Sequence, residues 1–350
     1  MTKQLNAGGV LIGGGAPVTI QSMTNTDTRD TEATLNQINA LYKAGCEIVR
    51  VSVYDEKCAE AVKTLVAKSP VPLVADIHFN HRLAIASIEN GISKVRINPG
   101  NIGGEAHVKE LADCLKMHRI PVRIGVNGGS LEKELLAKYG GPTPRALVDS
   151  ALGHARLLEK YGYDDIVISM KATSVPATVE ANRIASKECG YPLHIGVTEA
   201  GTPGMGNIKS AIGIGALLLD GIGDTVRVSL TGDPVNEVYA AKDILNACSI
   251  RREGINIISC PTCGRTCIPV GEIAEKVRVS TLDIKKPLTV AVMGCVVNGP
   301  GEAREADMGI AGGRDGSVFF EKGTEPRKVT GDLAQLLISE IRKRAGANGD

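Results

Sequence analysis

The chain has 350 residues, a formal net charge of +1, no tryptophan and three phenylalanines. The near-zero charge and the shortage of aromatic side chains argue against nucleic-acid and membrane partners, which need basic or stacking surfaces. This length predicts one large domain followed by a smaller one.

Between residues 17 and 232, short runs rich in β-branched residues alternate with amphipathic helical patterns. The predicted strands are 18–24, 47–53, 72–78, 94–100, 121–127, 165–171, 193–199 and 225–231. Predicted helices include 31–44, 55–69, 105–118 and 233–247, with Asp, Thr or Ser near several of their starts. Eight repeats predict an N-terminal TIM (β/α)8 barrel in residues 1–250, because doubly wound sheets more often stop at about five or six strands.

Two additions to the barrel are expected. The glycine-rich stretch 8–15 predicts a hairpin that caps the lower end of the barrel. The long connection between the fifth and sixth strands predicts an additional helical segment.

After about residue 250 the pattern changes and predicts a smaller α/β domain in residues 251–350. Its predicted strands are 255–259, 288–293 and 317–320, and its predicted helices are 270–279 and 332–343. The glycine-rich stretch 294–316 predicts a loop wrapped around a site.

Polar side chains occupy the C-terminal halves of the predicted barrel strands, where TIM-barrel active sites lie. Arg50, Arg96, Arg123 and Lys171 are expected to converge over the barrel mouth, because side chains two apart share a strand face. Buried cations need an anion, and Arg and Lys suit a phosphate or diphosphate. The alternative is that each Arg pairs with a neighbouring acid or extends into solvent. Glu199 is the last residue of the seventh predicted strand. Its carboxylate is expected to act as a general acid or base or, alternatively, as an ion-pair partner.

The C-terminal domain carries a Cys-x-x-Cys pair, Cys260 and Cys263, and the distant Cys295. Four interpretations compete. A structural zinc site would need Cys267 as the fourth ligand, since no His follows His194. A thioredoxin-like redox pair would leave Cys295 unexplained. Radical-SAM chemistry is disfavoured, because Cys260, Cys263 and Cys267 have its spacing reversed and follow the barrel. An iron–sulfur cluster with three thiolates and one oxygen ligand is favoured over zinc.

Five motifs in the same order closely resemble the IspG/GcpE family of 4-hydroxy-3-methylbut-2-enyl diphosphate synthases. They are residues 21–28 (QSMTNTDT), 95–101 (VRINPGN), 123–130 (RIGVNGGS), 259–265 (SCPTCGR) and 295–303 (CVVNGPGEA). The resemblance extends over essentially the whole chain, in the compact two-domain bacterial form.

This resemblance implies reductive ring opening and dehydration of 2-C-methyl-D-erythritol 2,4-cyclodiphosphate in the methylerythritol phosphate (non-mevalonate) route to isoprenoids. It implies a 4Fe–4S cluster held by Cys260, Cys263, Cys295 and Glu302, with Cys267 outside it, and Glu199 as acid or base. It further implies flavodoxin or ferredoxin as electron donor and a homodimer whose active site is completed across chains. The substrate would be held by Arg50, Arg96, Arg123, Asn127, Lys171 and Ser229.

Two other functions remain open from the sequence. One is a non-redox TIM-barrel transferase for phosphate ligands, with a zinc-stapled C-terminal module. The other is a cluster-bearing sensor without turnover. In each case we expect a cytoplasmic protein, because the N-terminus lacks the apolar core of a signal peptide and no apolar run approaches the length of a membrane span.

Overall fold

A computed structural model describes residues 1–98, 103–295, 305–314 and 316–346. The chain divides into two compact units, Met1–Arg251 and Arg252–Asp350. In the first unit a hairpin precedes eight strands that share one sheet. The hairpin strands are β1 (Leu5–Ala7) and β2 (Val10–Ile12). The sheet strands are β3 (Thr19–Met23), β4 (Ile48–Ser52), β5 (Leu73–Ile77), β6 (Lys94–Ile97), β7 (Val122–Asn127), β8 (Ile166–Lys171), β9 (His194–Ile195) and β10 (Thr225–Val226).

The sheet closes into a barrel. Its strand order is β8-β7-β6-β5-β4-β3-β10-β9, and every neighbouring pair is parallel. The two ends of this order meet at a parallel bridge between Ile168 and Leu193, where the Ile168 N–H donates to the Pro192 carbonyl at 2.9 Å. The predicted TIM barrel is therefore confirmed.

The predicted extents of the last two barrel strands were wrong. β9 and β10 have two residues each, whereas seven were predicted for both. The backbone after Ile195 leaves the ladder and enters a turn in which Glu199 adopts a left-handed φ of 51°. The β-branched pattern continues past the point where the chain bends toward the mouth, so periodicity alone overestimates the length.

Helices cover the outside of the barrel. Two of the predicted helices have the predicted ends, α1 (Thr31–Ala44) and α4 (Glu105–His118). The others in this unit are α2 (Glu56–Lys68), α3 (His81–Glu89), α5 (Lys133–Tyr139), α6 (Pro144–Lys160), α7 (Val175–Glu188), α8 (Pro203–Leu219) and α9 (Val235–Ala247). The carboxylates of Asp30 and Asp55 cap α1 and α2 by accepting backbone N–H groups. The additional helix expected between the fifth and sixth strands is α5.

The hairpin β1–β2 closes the N-terminal end of the barrel, as predicted. Gly8 lies in its turn with a φ of 59° and packs so closely against Ser93 and Pro72 that a Cβ atom would clash with both. Leu5, Ala7 and Ile12 form one apolar cluster with Ile48, Val74 and Val167 from the first residues of three barrel strands. The barrel interior therefore has an apolar floor.

The second unit is a five-stranded mixed sheet. Its strands are β11 (Ile255–Ser259), β12 (Leu288–Met293), β13 (Met308–Ala311), β14 (Ser317–Glu321) and β15 (Arg327–Val329), in that spatial order. β11, β12 and β13 are parallel, and the last two pairs are antiparallel. α10 (Val270–Ser280) and α11 (Leu333–Ala345) pack together against the apolar side chains of this sheet. The expected smaller α/β unit is confirmed.

One expectation for this unit was wrong. Residues 294–316 were predicted to be a loop, but β13 lies inside this stretch and pairs with β12. Gly309 is needed there because a Cβ atom would lie 2.5 Å from the Ala291 carbonyl of the neighbouring strand. In the part of the chain that the structure describes, no helix is both long and apolar enough to cross a membrane.

Candidate active site

The C-terminal ends of the barrel strands surround a polar cavity of about 160 Å³. Side chains from β4 through β8, and from the segments after β9 and β10, reach it because strand residues two apart point to the same side. The lining residues are Arg50, Asp76, His78, Arg96, Arg123, Gly125, Asn127, Ser169, Lys171, Thr198, Arg227 and Ser229. All six residues predicted to bind the substrate are among them.

Asp76 is the acidic partner of two of these cations. The Arg96 guanidinium donates to the Asp76 carboxylate at 2.9 Å, and Arg50 Nε lies 3.7 Å from its other oxygen. Burial disfavours the Asp76 charge, but Arg50, His78 and Arg96 outweigh it and hold the Asp76 pKa well below its usual range. Burial also lowers the Arg50 pKa to about 10, which leaves this guanidinium charged near neutral pH.

Arg123 and Lys171 have no carboxylate within ion-pair distance in the described part of the chain. Arg123 is 1% exposed, and its Nε and Nη2 atoms have no hydrogen-bond partner among the described residues. Burial, reinforced by the charges of Arg50 and Arg96, lowers the Arg123 pKa well below its ordinary value. Burial and the charge of Arg123 do the same to Lys171. Burial of these two basic groups without an acidic partner destabilises the folded protein, and an anion in the cavity would offset that cost.

Arg227 was not predicted among the converging cations. Its Nη2 donates to the Glu237 carboxylate at 3.0 Å, and Ser22 donates to the same group at 2.9 Å. Glu237 lies on α9, so strand periodicity could not predict that it pairs with Arg227. Arg50, Arg96, Arg123, Lys171 and Arg227 thus face Asp76 and Glu237, the two buried carboxylates of the described residues, so basic groups outnumber acidic ones by three.

Two glycines make room for this charge. A Cβ atom on Gly125 would lie 2.5 Å from Arg96 Nε, and one on Gly196 would lie 2.7 Å from Lys171 Nζ. Any larger residue at either position would displace a cation from the cavity wall. The glycines therefore belong to the geometry of the site, as strand glycines beside a closely approaching group often do.

Glu199 is exposed and is not among the residues that line the cavity, although its neighbour Thr198 is. Its left-handed backbone, rare for a residue other than glycine, bends the chain at the rim of the mouth. His194, in β9, is fully buried and bonds the Thr225 hydroxyl through Nδ1 at 2.6 Å.

In the second unit, the predicted cysteines lie at one end of the parallel strands. Cys260 follows β11 directly and Cys295 follows β12 by two residues, and these strands pair from Ile255–Leu288 to Ser259–Val292. The Gly294 N–H donates to Cys260 Sγ at 3.1 Å, and the Cys267 N–H donates to the Gly294 carbonyl at 2.8 Å. The loop that carries Cys263 is therefore held against the end of β12, beside Cys295.

These positions suit a thiolate-bound cluster, because three sulfur donors come from adjacent strand ends and one already accepts a backbone N–H. Within the described ranges, however, no three Cys, His, Asp or Glu side chains already converge on one point as a metal site. Cys267 Sγ lies 3.4 Å from the Arg265 carbonyl, which suits a protonated thiol as donor. Glu302, the predicted fourth ligand, lies outside the described residues.

A closed (β/α)8 barrel whose mouth carries more basic than acidic groups defines a TIM-barrel protein with a candidate site for an anion. Comparison with known proteins gives the family. Residues 2–242 match the GcpE TIM-barrel domain, and residues 256–343 match the GcpE protein C-terminal domain. The chain therefore belongs to the GcpE family.

Relatives are similar along their whole length. Two proteins named 4-hydroxy-3-methylbut-2-en-1-yl diphosphate synthase (flavodoxin) are each 57% identical to this chain. That of Caldanaerobacter subterraneus subsp. tengcongensis is aligned over 98% of this chain and 97% of its own length. That of Geobacter sulfurreducens has the same coverage.

Solved structures show the barrel fold alone. Yersinia pestis dihydropteroate synthase has a TM-score of 0.50 at 13% identity, covering 72% of this chain and 100% of its own. Geobacillus kaustophilus 3-dehydroquinate dehydratase has a TM-score of 0.50 at 16% identity, covering 71% of this chain and 99% of its own.

Proposed function

We propose that this chain converts 2-C-methyl-D-erythritol 2,4-cyclodiphosphate into 4-hydroxy-3-methylbut-2-en-1-yl diphosphate, in the methylerythritol phosphate route to isoprenoids. The reaction consumes two electrons and two protons, opens the ring and releases water. The supporting observation is the cationic cavity, where Arg123 and Lys171 lack a carboxylate partner among the described residues, in a chain that belongs to the GcpE family. The names of the 57% identical relatives support the same activity.

The barrel residues would bind the diphosphate and hold it in place. Arg50, Arg96, Arg123 and Lys171 supply charge, and Asn127 and Ser229 supply neutral hydrogen bonds from the same cavity wall. Arg123 has buried N–H groups without partners, and guanidinium forks match phosphate oxygens. Residues 1–250 thus form the proposed substrate-binding domain.

Residues 251–350 form the proposed cluster-binding domain. Cys260, Cys263 and Cys295 would hold a 4Fe–4S cluster, with Glu302 as the fourth ligand. When bound, the cluster supplies electrons one at a time from a reduced carrier protein. Flavodoxin is the proposed carrier, since the names of the relatives specify it. The Gly294 N–H would then stabilise the thiolate of Cys260.

The activity is tested by anaerobic reconstitution with iron and sulfide, followed by incubation with reduced flavodoxin and the cyclodiphosphate. Phosphorus NMR should show that the cyclic substrate disappears as the linear diphosphate forms. A colourless, zinc-loaded protein without turnover would support the transferase alternative. A reducible iron–sulfur protein that never consumes the substrate would support the sensor alternative.

Glu199→Gln is expected to lower kcat by about 10²- to 10⁴-fold with little change in KM, because general acid–base groups contribute on this scale. The carboxylate Oε would move a proton near the substrate hydroxyl from the rim of the mouth, outside the cation cluster. Steady-state kinetics at saturating flavodoxin measure the effect. Glu199→Asp keeps the titratable group and should retain more activity than Glu199→Gln. Equal loss in both variants would instead assign Glu199 a structural role.

We propose that the chain is a homodimer in which the cluster domain of one protomer serves the barrel of its partner. The outer face of α8 supports association, because Met205, Ile208, Ile212 and Leu219 are 53–72% exposed at helical spacing. Beside them, α8 and α9 form a mainly apolar groove that includes Ala211, Ala240 and Ile244.

Ile208→Asp combined with Ile212→Asp is expected to weaken dimerisation by at least about 100-fold, because charge in the centre of an apolar interface is strongly unfavourable. Sedimentation equilibrium should show the mass of a single chain. Met117→Asp is the matched control, since Met117 is 80% exposed on α4. A dimer that survives the double substitution would place the interface on another face.

A further inference from the structure

Lys94 is a buried amine that the proposed function leaves without a role. It is the first residue of β6, two residues before Arg96, so both side chains point into the barrel and Lys94 lies one layer deeper. Lys94 is 0% exposed, and its Nζ has no hydrogen-bond partner among the described residues. Below it lies the apolar floor formed with the hairpin β1–β2.

The groups around Lys94 are mostly cations. Its own strand contributes Arg96, and β5 contributes Asp76, whose carboxylate is already shared by Arg96 and Arg50. The other strands that face the interior contribute Arg50 from β4, Arg123 from β7, Lys171 from β8 and His194 from β9. Arg123 and Arg50 repel a charge on Lys94 most strongly.

A protonated Lys94 would therefore be a buried ammonium without a counter-ion beneath other cations, which is among the costliest arrangements in a protein. Burial, followed by the charges of Arg123 and Arg50, lowers the Lys94 pKa well below its ordinary value. His194 is close enough to feel the charge of Lys94, and its Nε2 also lacks a partner in the described part of the chain. Burial and Arg123 likewise lower the His194 pKa, so both groups favour their neutral forms.

We propose that Lys94 is a neutral amine in the free protein and takes up one proton from solvent when an anion binds at Arg123. This inference rests on the proposed function for the identity of that anion, a cyclic diphosphate. In this ligand each phosphorus carries one strongly acidic oxygen, so its charge stays at about −2 across the neutral pH range. The anion offsets the repulsion that, together with burial, keeps Lys94 neutral. Lys94 acts as a positioning residue, because the new charge attracts the diphosphate across the layer of Arg123 without touching it.

The strand register makes this coupling strong. Arg123 pairs in register with Arg96, which lies two residues beyond Lys94 on β6, and two residues along a strand span about 7 Å. At that distance and an effective dielectric constant of about 20, one negative charge raises the proton affinity of an amine about 50-fold. Because binding takes up a proton, the affinity should fall as pH rises through the range between the free and the bound pKa of Lys94.

Calorimetric titration of the reconstituted protein with the cyclodiphosphate, in two buffers of different ionisation enthalpy, measures the number of protons taken up. At pH 8 without reductant, we expect an uptake of several tenths of a proton or more. Lys94→Met should abolish most of this uptake and flatten the pH dependence of Kd. Lys63→Met, on the exposed face of α2, is the matched control and should leave both unchanged.

A second variant separates Lys94 from its neighbour. If His194→Gln abolishes the uptake while Lys94→Met keeps it, the proton belongs to His194 and the inference is wrong. Binding without any proton uptake in the unmodified protein also contradicts it. Absence of cyclodiphosphate turnover would contradict the proposed function instead. In that case the same titrations with inorganic pyrophosphate still decide the inference. Protons that pyrophosphate itself gains or loses are the same for both proteins, so the difference in proton uptake between the unmodified protein and Lys94→Met reports on Lys94.

Discussion

Arg123→Met is expected to stabilise the free protein while it weakens binding of the cyclodiphosphate by about 10²- to 10³-fold. The loss of affinity follows because a buried charge that hydrogen-bonds its ligand typically contributes about 2–5 kcal/mol to binding. The gain in stability follows because Arg123 is 1% exposed, faces Arg50 and Arg96, and has two nitrogen atoms without partners in the part of the chain that the structure describes. Replacing such a charge with an apolar side chain commonly raises the free energy of unfolding by about 1–4 kcal/mol.

Thermal unfolding in buffer free of phosphate and sulfate, together with a binding isotherm, measures both effects. Arg227→Met is the matched control, because this arginine is bonded to Glu237. Its removal should lower the free energy of unfolding by about 1.5–3 kcal/mol, since Glu237 then loses a charged donor but keeps Ser22. If Arg123→Met destabilised the free protein as Arg227→Met does, Arg123 would have a structural partner and the anion site would be in doubt.

Cys295→Ser is expected to abolish turnover and to remove most of the bound iron. A serine hydroxyl is far less acidic than a thiol and is a harder donor, so it replaces a thiolate poorly at an iron–sulfur cluster. The position is decisive because Cys295 follows the strand whose end carries Gly294, the residue that bonds Cys260. Iron and sulfide analysis after anaerobic reconstitution, with the visible absorption spectrum, measures the loss.

Cys267→Ser is the matched control for that experiment. Cys267 is on the loop that carries Cys263, but its sulfur lies against the Arg265 carbonyl, so we expect normal iron content and turnover. If the cluster were lost in Cys267→Ser and kept in Cys295→Ser, Cys267 would be a ligand in place of Cys295. Zinc bound in place of iron in the unmodified protein would support the alternative of a non-redox transferase whose C-terminal domain holds a structural zinc ion.

The barrel could be predicted from the sequence because its signal is local and repeated. Each strand and helix has its own periodicity, and parallel strands need helical crossovers, so eight repeats leave few alternatives. The prediction from sequence fails where the backbone departs from the regular hydrogen bonding of its expected element. β9 stops at Ile195 because the chain turns at Glu199, and β13 forms inside a glycine-rich stretch because Gly309 allows a close neighbour. Neither constraint is visible in the residue pattern of the segment itself.

For the candidate site, the residues that project from strand ends could be predicted, but their partners could not. Arg50, Arg96, Arg123 and Lys171 line one cavity as expected, because a strand face is a property of one segment. The bonds of Arg96 to Asp76 and of Arg227 to Glu237 join different elements, one of them a helix. Lys94 was missed because a single lysine at the start of an apolar strand gives no sign that it has no counter-ion.

The hairpin beneath the barrel gives the deep interior an apolar lower end. Leu5, Ala7 and Ile12 pack there against barrel residues, whereas the polar cavity opens among the cations at the upper end. A ligand that binds among these cations lies across the polar route to the deep layer. A proton that follows this route must enter before the ligand arrives or together with it. Three apolar side chains at the opposite end of the barrel from the chemistry thus bear on the order in which proton and ligand arrive.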